Sequence, residues 1–240
     1  MAKHDVERIP VRQIIHDVGG SYRHRFGRVV IAAAIVFGIT AVIGAAVEDL
    51  LNKSQEYFIV YVFALAGTTM SQVGITFYAG LLDKVVGEYE LGEEPEPIMY
   101  VLRHLPYGSL IVADIFITVV TAVGMLFLIV PGIVAFTLFA ITGPVVNIEQ
   151  RGAISAMKRS AQLVRTHFWL VLFMVSVPLA IEHQAIHLAH EYLIGHALVE
   201  VFIVQGITGM IIGSFVGLVE VNVAYALVKQ DRERVPSPTA

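Results

Sequence analysis

Three histidines and a glutamate near the end of the chain share one face of a predicted helix. His183, His187 and His190 lie within about 60° of one another at 100° per residue, and Glu191 lies about 40° further round. Spacings of three and four residues let two imidazoles reach one ion. Imidazole and carboxylate ligands suit a divalent transition metal such as zinc, copper, nickel or iron. The stripe therefore raises a metal site as one hypothesis.

Two further interpretations of this histidine stripe stay open. His183 and His190 are about 10 Å apart along a helix axis, so all three imidazoles do not easily share one ion. The residue after His183 is Gln184, which departs from the H-E-x-x-H pattern of zinc proteases. One alternative is that the imidazoles simply lie at the level of the lipid headgroups. The other is that they act as a sensor of external pH.

Two acidic residues, Asp114 and Glu220, fall inside long apolar segments. An ionised side chain within a bilayer costs at least about 2.5–3.5 kcal/mol on insertion scales, so each suggests a function. Two carboxyls that lie close together do not readily both ionise, and such a pair would form a proton or cation site. The neutral ligands available to it are Gln72, Gln205 and Asn222. The alternative is that each carboxyl is protonated, or paired with a base such as Arg28, and locks helices together.

The elements that must position these residues are membrane helices. Of the 240 residues, 56% are hydrophobic and 15% charged, against about 25% charged in an ordinary soluble domain. Six stretches approach the roughly 20 apolar residues that a membrane crossing needs, namely 29–47, 58–82, 109–130, 133–148, 168–190 and 198–228.

The absence of cysteine excludes disulfides and thiolate sites, and the net charge of −4 offers no general attraction for nucleic acid.

Lysine and arginine divide the loops between the two sides of the membrane. Fifteen of the 16 fall on one side of the six predicted spans, and only Lys53 falls on the other. By the positive-inside rule both termini are cytoplasmic, in agreement with an even number of spans.

A short segment with helical apolar spacing precedes each odd-numbered span. The apolar positions are Val11, Ile14, Ile15 and Val18 in the first, Ile98, Val101, Leu102 and Leu105 in the second, and Ile154, Met157, Ala161 and Val164 in the third. This pattern is typical of a helix that lies flat at the lipid interface, with basic residues such as Lys158, Arg159 and Arg165 toward headgroups or a partner protein. The alternative is that each segment is a cytoplasmic extension of its span.

Glycines at four-residue spacing mark the sixth predicted span. Gly209, Gly213 and Gly217 form two overlapping G-x-x-x-G units, which allow the backbones of two helices to approach closely. The neighbouring helix lies either within the bundle or in a second copy of the chain, as a homodimer.

Part of the chain resembles a known membrane domain. Residues 126–133 (LFLIVPGI), Glu149, residues 156–165 (AMKRSAQLVR) and Phe168-Trp169 together look like the membrane domain of glycerophosphoryl diester phosphodiesterases and its stand-alone bacterial inner-membrane relatives. The match covers about 50 residues. In the fused enzymes a separate soluble barrel carries the chemistry, and this chain has no such barrel, so the resemblance implies no hydrolase activity.

The sequence thus predicts an all-α protein. Residues 1–230 form one membrane domain, a polytopic six-helix bundle in the inner membrane with interfacial amphipathic helices on the cytoplasmic side, and residues 231–240 form a disordered cytoplasmic tail. Three functional hypotheses follow: a non-catalytic module that organises lipid or a partner protein, a small proton or metal-cation transporter, and a metal-dependent membrane hydrolase centred on His183, His187 and Glu191.

Overall fold

A computed structural model describes residues 11–53, 78–84, 97–127, 129–193, 203 and 206–234. Within these ranges the chain is helical apart from short turns between the helices, and it contains no β-strand. The helices are α1 (Val11–His24), α2 (Phe26–Lys53), α3 (78–84), α4 (Ile98–His104), α5 (Tyr107–Phe127), α6 (Ile129–Phe139), α7 (Thr142–Ile148), α8 (Ala153–Thr166), α9 (Phe168–Leu193), a π-helical turn (Gly209–Gly213) and α10 (Ser214–Arg234). The all-α prediction is confirmed for this part of the chain.

Each of the three predicted short segments forms a separate helix that turns sharply into a long one. The angle is 88° between α1 and α2, 70° between α4 and α5, and 106° between α8 and α9. At the second corner Leu105 is extended, as expected for a residue that precedes a proline, here Pro106. Bends of this size exclude the alternative in which the short segments are straight extensions of the spans.

Two helices are long and apolar enough to cross a membrane. The first, Val130–Ile148, includes α7 and all but the first residue of α6, and the second is Gly206–Glu233. The number rises to five if each bent pair counts as one span. The protein is thus a helical protein with candidate membrane spans. The second predicted span lies largely outside the described residues, so the total of six stays a prediction.

The long helices turn apolar side chains outward. On each of them exposed residues recur every three or four positions along one face, which is the reverse of the pattern on a water-soluble helix. They include Ile31, Ile35 and Ile39 on α2, Ile111, Ile115 and Val119 on α5, Trp169, Phe173, Val177 and Ile181 on α9, and Ile207, Ile211 and Phe215 near the start of α10. An exposed apolar surface this extensive indicates contact with lipid.

The described core surrounds α3, whose residues 78–83 are all buried. The Tyr78 hydroxyl donates to the carbonyl of Val29 on α2 at 3.2 Å, and the Asn147 amide of α7 donates to the carbonyl of Gly80 at 3.1 Å. Two helices that are distant in sequence therefore contact α3: α2 binds its first side chain, and α7 binds its backbone.

The predicted glycine motif packs inside the bundle. A Cβ atom at Gly213 would lie 2.5 Å from the ring of Phe37 on α2, and one at Gly217 would lie 2.7 Å from the ring of Tyr78. Gly209 also faces Phe37. The geometry fits the intramolecular alternative for these three residues, since both aromatic rings occupy the space that larger side chains would need.

One boundary differs from the prediction. Residues 231–234, expected in a disordered tail, continue α10, while residues 235–240 lie outside the described part. The side chain of Asp231 explains the difference, because it is held by a contact with α8 that is described below.

Candidate functional site

An ion cluster joins three helices at one end of the described bundle. The Arg159 guanidinium of α8 donates through Nη2 to Asp231 Oδ2 of α10 at 2.7 Å and through Nε to Glu149 Oε1 at 3.0 Å. The Glu149 side chain is 8% exposed and that of Arg159 is 18% exposed, whereas that of Asp231 is 38% exposed. The more buried pair is therefore partly shielded from solvent, and the Asp231 contact lies at its rim.

A tight turn after α7 positions Glu149 for this contact. The Arg151 amide donates to the Val146 carbonyl at 3.0 Å, and Gln150 takes the left-handed conformation with φ 50°. These are the features of a helix end at which a left-handed residue, usually glycine, reverses the chain. The Gln150 side-chain amide also donates to the Asn147 carbonyl at 2.7 Å, which helps to hold the turn.

The charges in the cluster stabilise one another. Burial by itself lowers the pKa of Arg159, but the hydrogen bonds to Asp231 and Glu149 and the charges of those two carboxylates outweigh it, so the pKa is raised above its usual value. Arg151 also forms an ion pair with Glu149. The cluster thus contains two basic and two acidic side chains.

The cluster changes the interpretation of Arg159, which was expected to contact lipid headgroups or a partner. Its guanidinium is instead occupied by two carboxylates of the same chain. Lys158 and Arg165 lie on the exposed side of α8, so for them contact with lipid or a partner stays a prediction.

A buried acid that sequence reasoning missed lies on α3. Asp83 is 4% exposed and shares a hydrogen bond with Tyr225 of α10. Among the described residues its Oδ1 atom has no hydrogen-bond partner. It directly follows the second predicted span, and burial raises its pKa to about 7. The sequence offered little signal, because Asp83 stands beside Lys84 and looks like an ordinary cytoplasmic residue.

The two acids that were predicted from the sequence are both buried. Asp114 of α5 is 3% exposed and Glu220 of α10 is 8% exposed. Asn222 donates to the Leu218 carbonyl of its own helix at 2.8 Å. Gln72 and Gln205 lie outside the described residues. A shared proton or cation site formed by Asp114 and Glu220 therefore stays a prediction.

The histidine stripe lies on the second half of α9. This helix runs without interruption through Pro178 to Leu193, so the backbone spacing of His183, His187, His190 and Glu191 is helical as predicted. Their side chains lie outside the described residues. Among the residues whose side chains the structure describes, no group of three or more potential ligands is arranged to hold a metal ion.

Comparisons with protein-family models, curated proteins and solved structures found no match. The similarity to the membrane domain of glycerophosphoryl diester phosphodiesterases consequently stays a prediction from the quoted residues.

Several of the polar groups described here connect one helix to another. Ser160 of α8 donates to the Leu138 carbonyl of α6 at 2.8 Å, just as Asn147 donates to Gly80 and Arg159 binds two carboxylates. Such contacts fix helix positions. Asp83 differs from them, because its Oδ1 atom has no hydrogen-bond partner among the described residues.

Proposed function

We propose that this protein is a non-catalytic integral membrane module that organises lipid at the cytoplasmic face of the inner membrane, with six spans and both termini in the cytoplasm. The observation that carries the proposal is the repeated corner, in which a short helix turns by 88°, 70° or 106° into a long helix with an exposed apolar face. A short helix at such an angle to a membrane span can lie along the bilayer surface.

The helix α8 illustrates how one such element would meet lipid. It buries one face, which includes Ala156, Ser160 and Val164, against the rest of the protein. Lys158 and Arg165 are exposed and seven residues apart, which places them on nearly the same side of the helix. Two cations on one side attract anionic headgroups by about 1 kcal/mol each near a membrane surface.

The test is the lipid that remains bound to the purified protein. We expect Lys158→Glu with Arg165→Glu to lower the amount of anionic phospholipid that copurifies in mild detergent, measured by mass spectrometry per mole of protein. The matched control is Lys229→Glu with Arg232→Glu, which reverses two exposed cations at the end of α10. Equal retention of anionic lipid by both double variants and the wild-type protein would reject the proposal.

A second function, transport of protons or a metal cation, is favoured by the buried carboxyls. Asp83 supports it most directly, since its Oδ1 atom is buried and lacks a partner among the described residues. The test is flux in proteoliposomes: transport by the wild-type protein should be abolished in Asp83→Asn, Asp114→Asn or Glu220→Gln. A wild-type protein with no flux of protons or divalent cations rejects this function.

Each of the two remaining hypotheses, a partner protein and a metal-dependent hydrolase, has its own test. A partner would copurify with the wild-type protein and be lost on reversal of Lys158 and Arg165. A hydrolase centred on His183, His187 and Glu191 would require stoichiometric metal that is lost in His187→Ala, and metal content unchanged by that substitution would remove the hypothesis.

A further inference from the structure

The contact between Asp83 and Tyr225 joins the end of α3 to α10. The Tyr225 phenol shares a hydrogen bond with the Asp83 carboxyl. Asp83 is 4% exposed, and its Oδ1 atom has no hydrogen-bond partner among the described residues. Lys84, the next residue, is exposed. The carboxyl is therefore in the interior but only one residue away from solvent.

The surroundings of Asp83 favour a neutral carboxyl. An ionised carboxylate in the interior needs hydrogen-bond donors for both oxygens, and burial without them is costly. The buried side chains that precede it, Leu81 and Leu82, supply none. The protonated group avoids this cost in the packed state. For the ionised group, a displacement of the end of α3 toward solvent removes the cost.

The charges near Asp83 oppose the effect of burial. Burial raises the pKa of Asp83 to about 7, although the hydrogen bond to Tyr225 and the charge of Lys84 lower it. The titratable side chains closest in sequence to the other contacts of α3 are Arg28 on α2, Arg103 and His104 on α4, Asp114 on α5, Glu149 after α7, and Glu220 and Lys229 on α10. Of these, Arg28, Asp114 and Glu220 take part in interactions of their own, and Glu149 belongs to the ion cluster.

The helix α10 carries both the Asp83 contact and part of the ion cluster. Tyr225 and Asp231 are six residues apart, or about 9 Å along the helix axis. Asp231 in turn holds Arg159 of α8. A change in the packing of α3 against the end of α10 is therefore transmitted to α8 through a single helix.

We infer that Asp83 and Tyr225 form a pH-sensitive latch, which keeps α3 packed against the end of α10 while Asp83 is protonated and releases it when the proton is lost. The inference goes beyond the proposed function, since it assigns a conformational switch inside the bundle and no ligand. The closed state holds a proton that the open state releases, so a rise in pH favours opening. The opening equilibrium should increase by up to about tenfold per pH unit between the ordinary pKa of 3.8 and the raised pKa of about 7, and level off above it.

A single introduced thiol can report the opening, because the chain has no cysteine. Val228 is 2% exposed and follows Tyr225 by three residues, on the same side of α10. In Val228→Cys the thiol should react with a maleimide only when this end of α10 opens. The matched control is Val175→Cys, at an equally buried valine of α9. Gln162→Cys, at an exposed position of α8, gives the intrinsic pH dependence of the reaction, by which both rates are divided.

The labelling rates are measured on the full-length protein in detergent micelles. We expect the corrected rate of Val228→Cys to rise at least about tenfold between about pH 5 and about pH 7, whereas that of Val175→Cys stays constant. Addition of Asp83→Asn should abolish the rise, because the amide has no proton to lose. Addition of Tyr225→Phe should move the pH at which the rate levels off upward, since the phenol favours the ionised carboxyl.

Each contrary outcome identifies a different failure. A rise that persists with Asp83→Asn overturns the latch, and so does an equal rise in Val175→Cys, which shows that the whole protein loosens. Protection of Val228→Cys by sodium or potassium ions at constant pH and ionic strength shows that Asp83 binds a cation, which also overturns it. If Asp83→Asn does not fold, an unchanged pH profile in Tyr225→Phe overturns the latch by itself. No added lipid enters these measurements, so the latch and the proposed function can fail independently.

Discussion

The Nη2 atom of Arg159 on α8 lies 2.7 Å from the Oδ2 atom of Asp231 on α10, although the two residues are 72 positions apart in the chain. The same guanidinium holds Glu149 at the end of α7. One side chain therefore fixes the mutual positions of a short helix, a helix end and the last described helix. If α8 lies along the membrane surface, this contact sets its height and direction relative to the bundle.

Loss of the Arg159 side chain should destabilise the protein. Arg159→Gln leaves the nearly buried Glu149 with Arg151 alone and removes the partner of Asp231. We expect a loss of about 1–3 kcal/mol in the free energy of unfolding, which is less than for a fully buried pair because Asp231 is partly exposed. The measurement is thermal unfolding in detergent micelles. Arg165→Gln, an exposed arginine on the same helix, serves as the control, and an equal loss in both variants would contradict the role given to Arg159.

The organisation around α8 shows what spacing in the sequence can and cannot reveal. Helical periodicity was sufficient to predict three short helices, each ahead of a long one. It identified the face that each helix buries only in part. Ile154 was assigned to the apolar stripe of α8 but is exposed, while Ser160 is buried because its hydroxyl bonds to the Leu138 carbonyl.

Asp83 was missed for a related reason. A charged residue next to Lys84 at the end of an apolar run is expected to be exposed to solvent. Its burial depends on α10, whose Tyr225 lies more than a hundred residues further along the chain. The contacts of Asn147 and Arg159 likewise join segments that no local pattern links. Local spacing predicted the elements, and only their packing identified these three residues.

Asp83 should make stability depend on pH. Burial raises its pKa to about 7 from an ordinary value of 3.8, so between these values the folded protein holds a proton that the unfolded chain releases. The free energy of unfolding should therefore fall as the pH rises from about 4 to about 7, and this contribution should level off above the folded pKa.

The matched pair for this prediction is Asp83→Asn and Asp17→Asn. The first substitution replaces the buried carboxyl by a neutral group of the same shape, so the slope of stability against pH should become flatter over this interval. The second removes a partly exposed carboxyl on α1. Denaturation at a series of pH values measures both. A slope in Asp83→Asn that matches the wild-type slope would show that Asp83 does not hold the proton.

The hairpin between α5 and α6 should tolerate no side chain at Gly124. A Cβ atom there would lie 2.9 Å from the Cα atom of Gly132, and backbone atoms cannot move aside as a flexible side chain can. We expect Gly124→Ala to destabilise the protein by about 1–3 kcal/mol, which is the usual cost of overpacking. Gly38→Ala on α2 is the control, since a Cβ atom there meets nothing within 4 Å. It should stabilise the helix by up to about 1 kcal/mol.

Asn147 connects α7 to the central helix α3, and its loss should cost more than the loss of a comparable amide. Asn147→Ala leaves the buried Gly80 carbonyl without this donor, with an expected cost of about 1–3 kcal/mol. Asn222 is equally buried, but it donates to the Leu218 carbonyl of its own helix, which can still accept the amide of the next turn. Asn222→Ala should therefore cost less than Asn147→Ala when apparent melting temperatures are compared in the same detergent. The reverse order would mean that the amide of Asn147 does not connect the two helices.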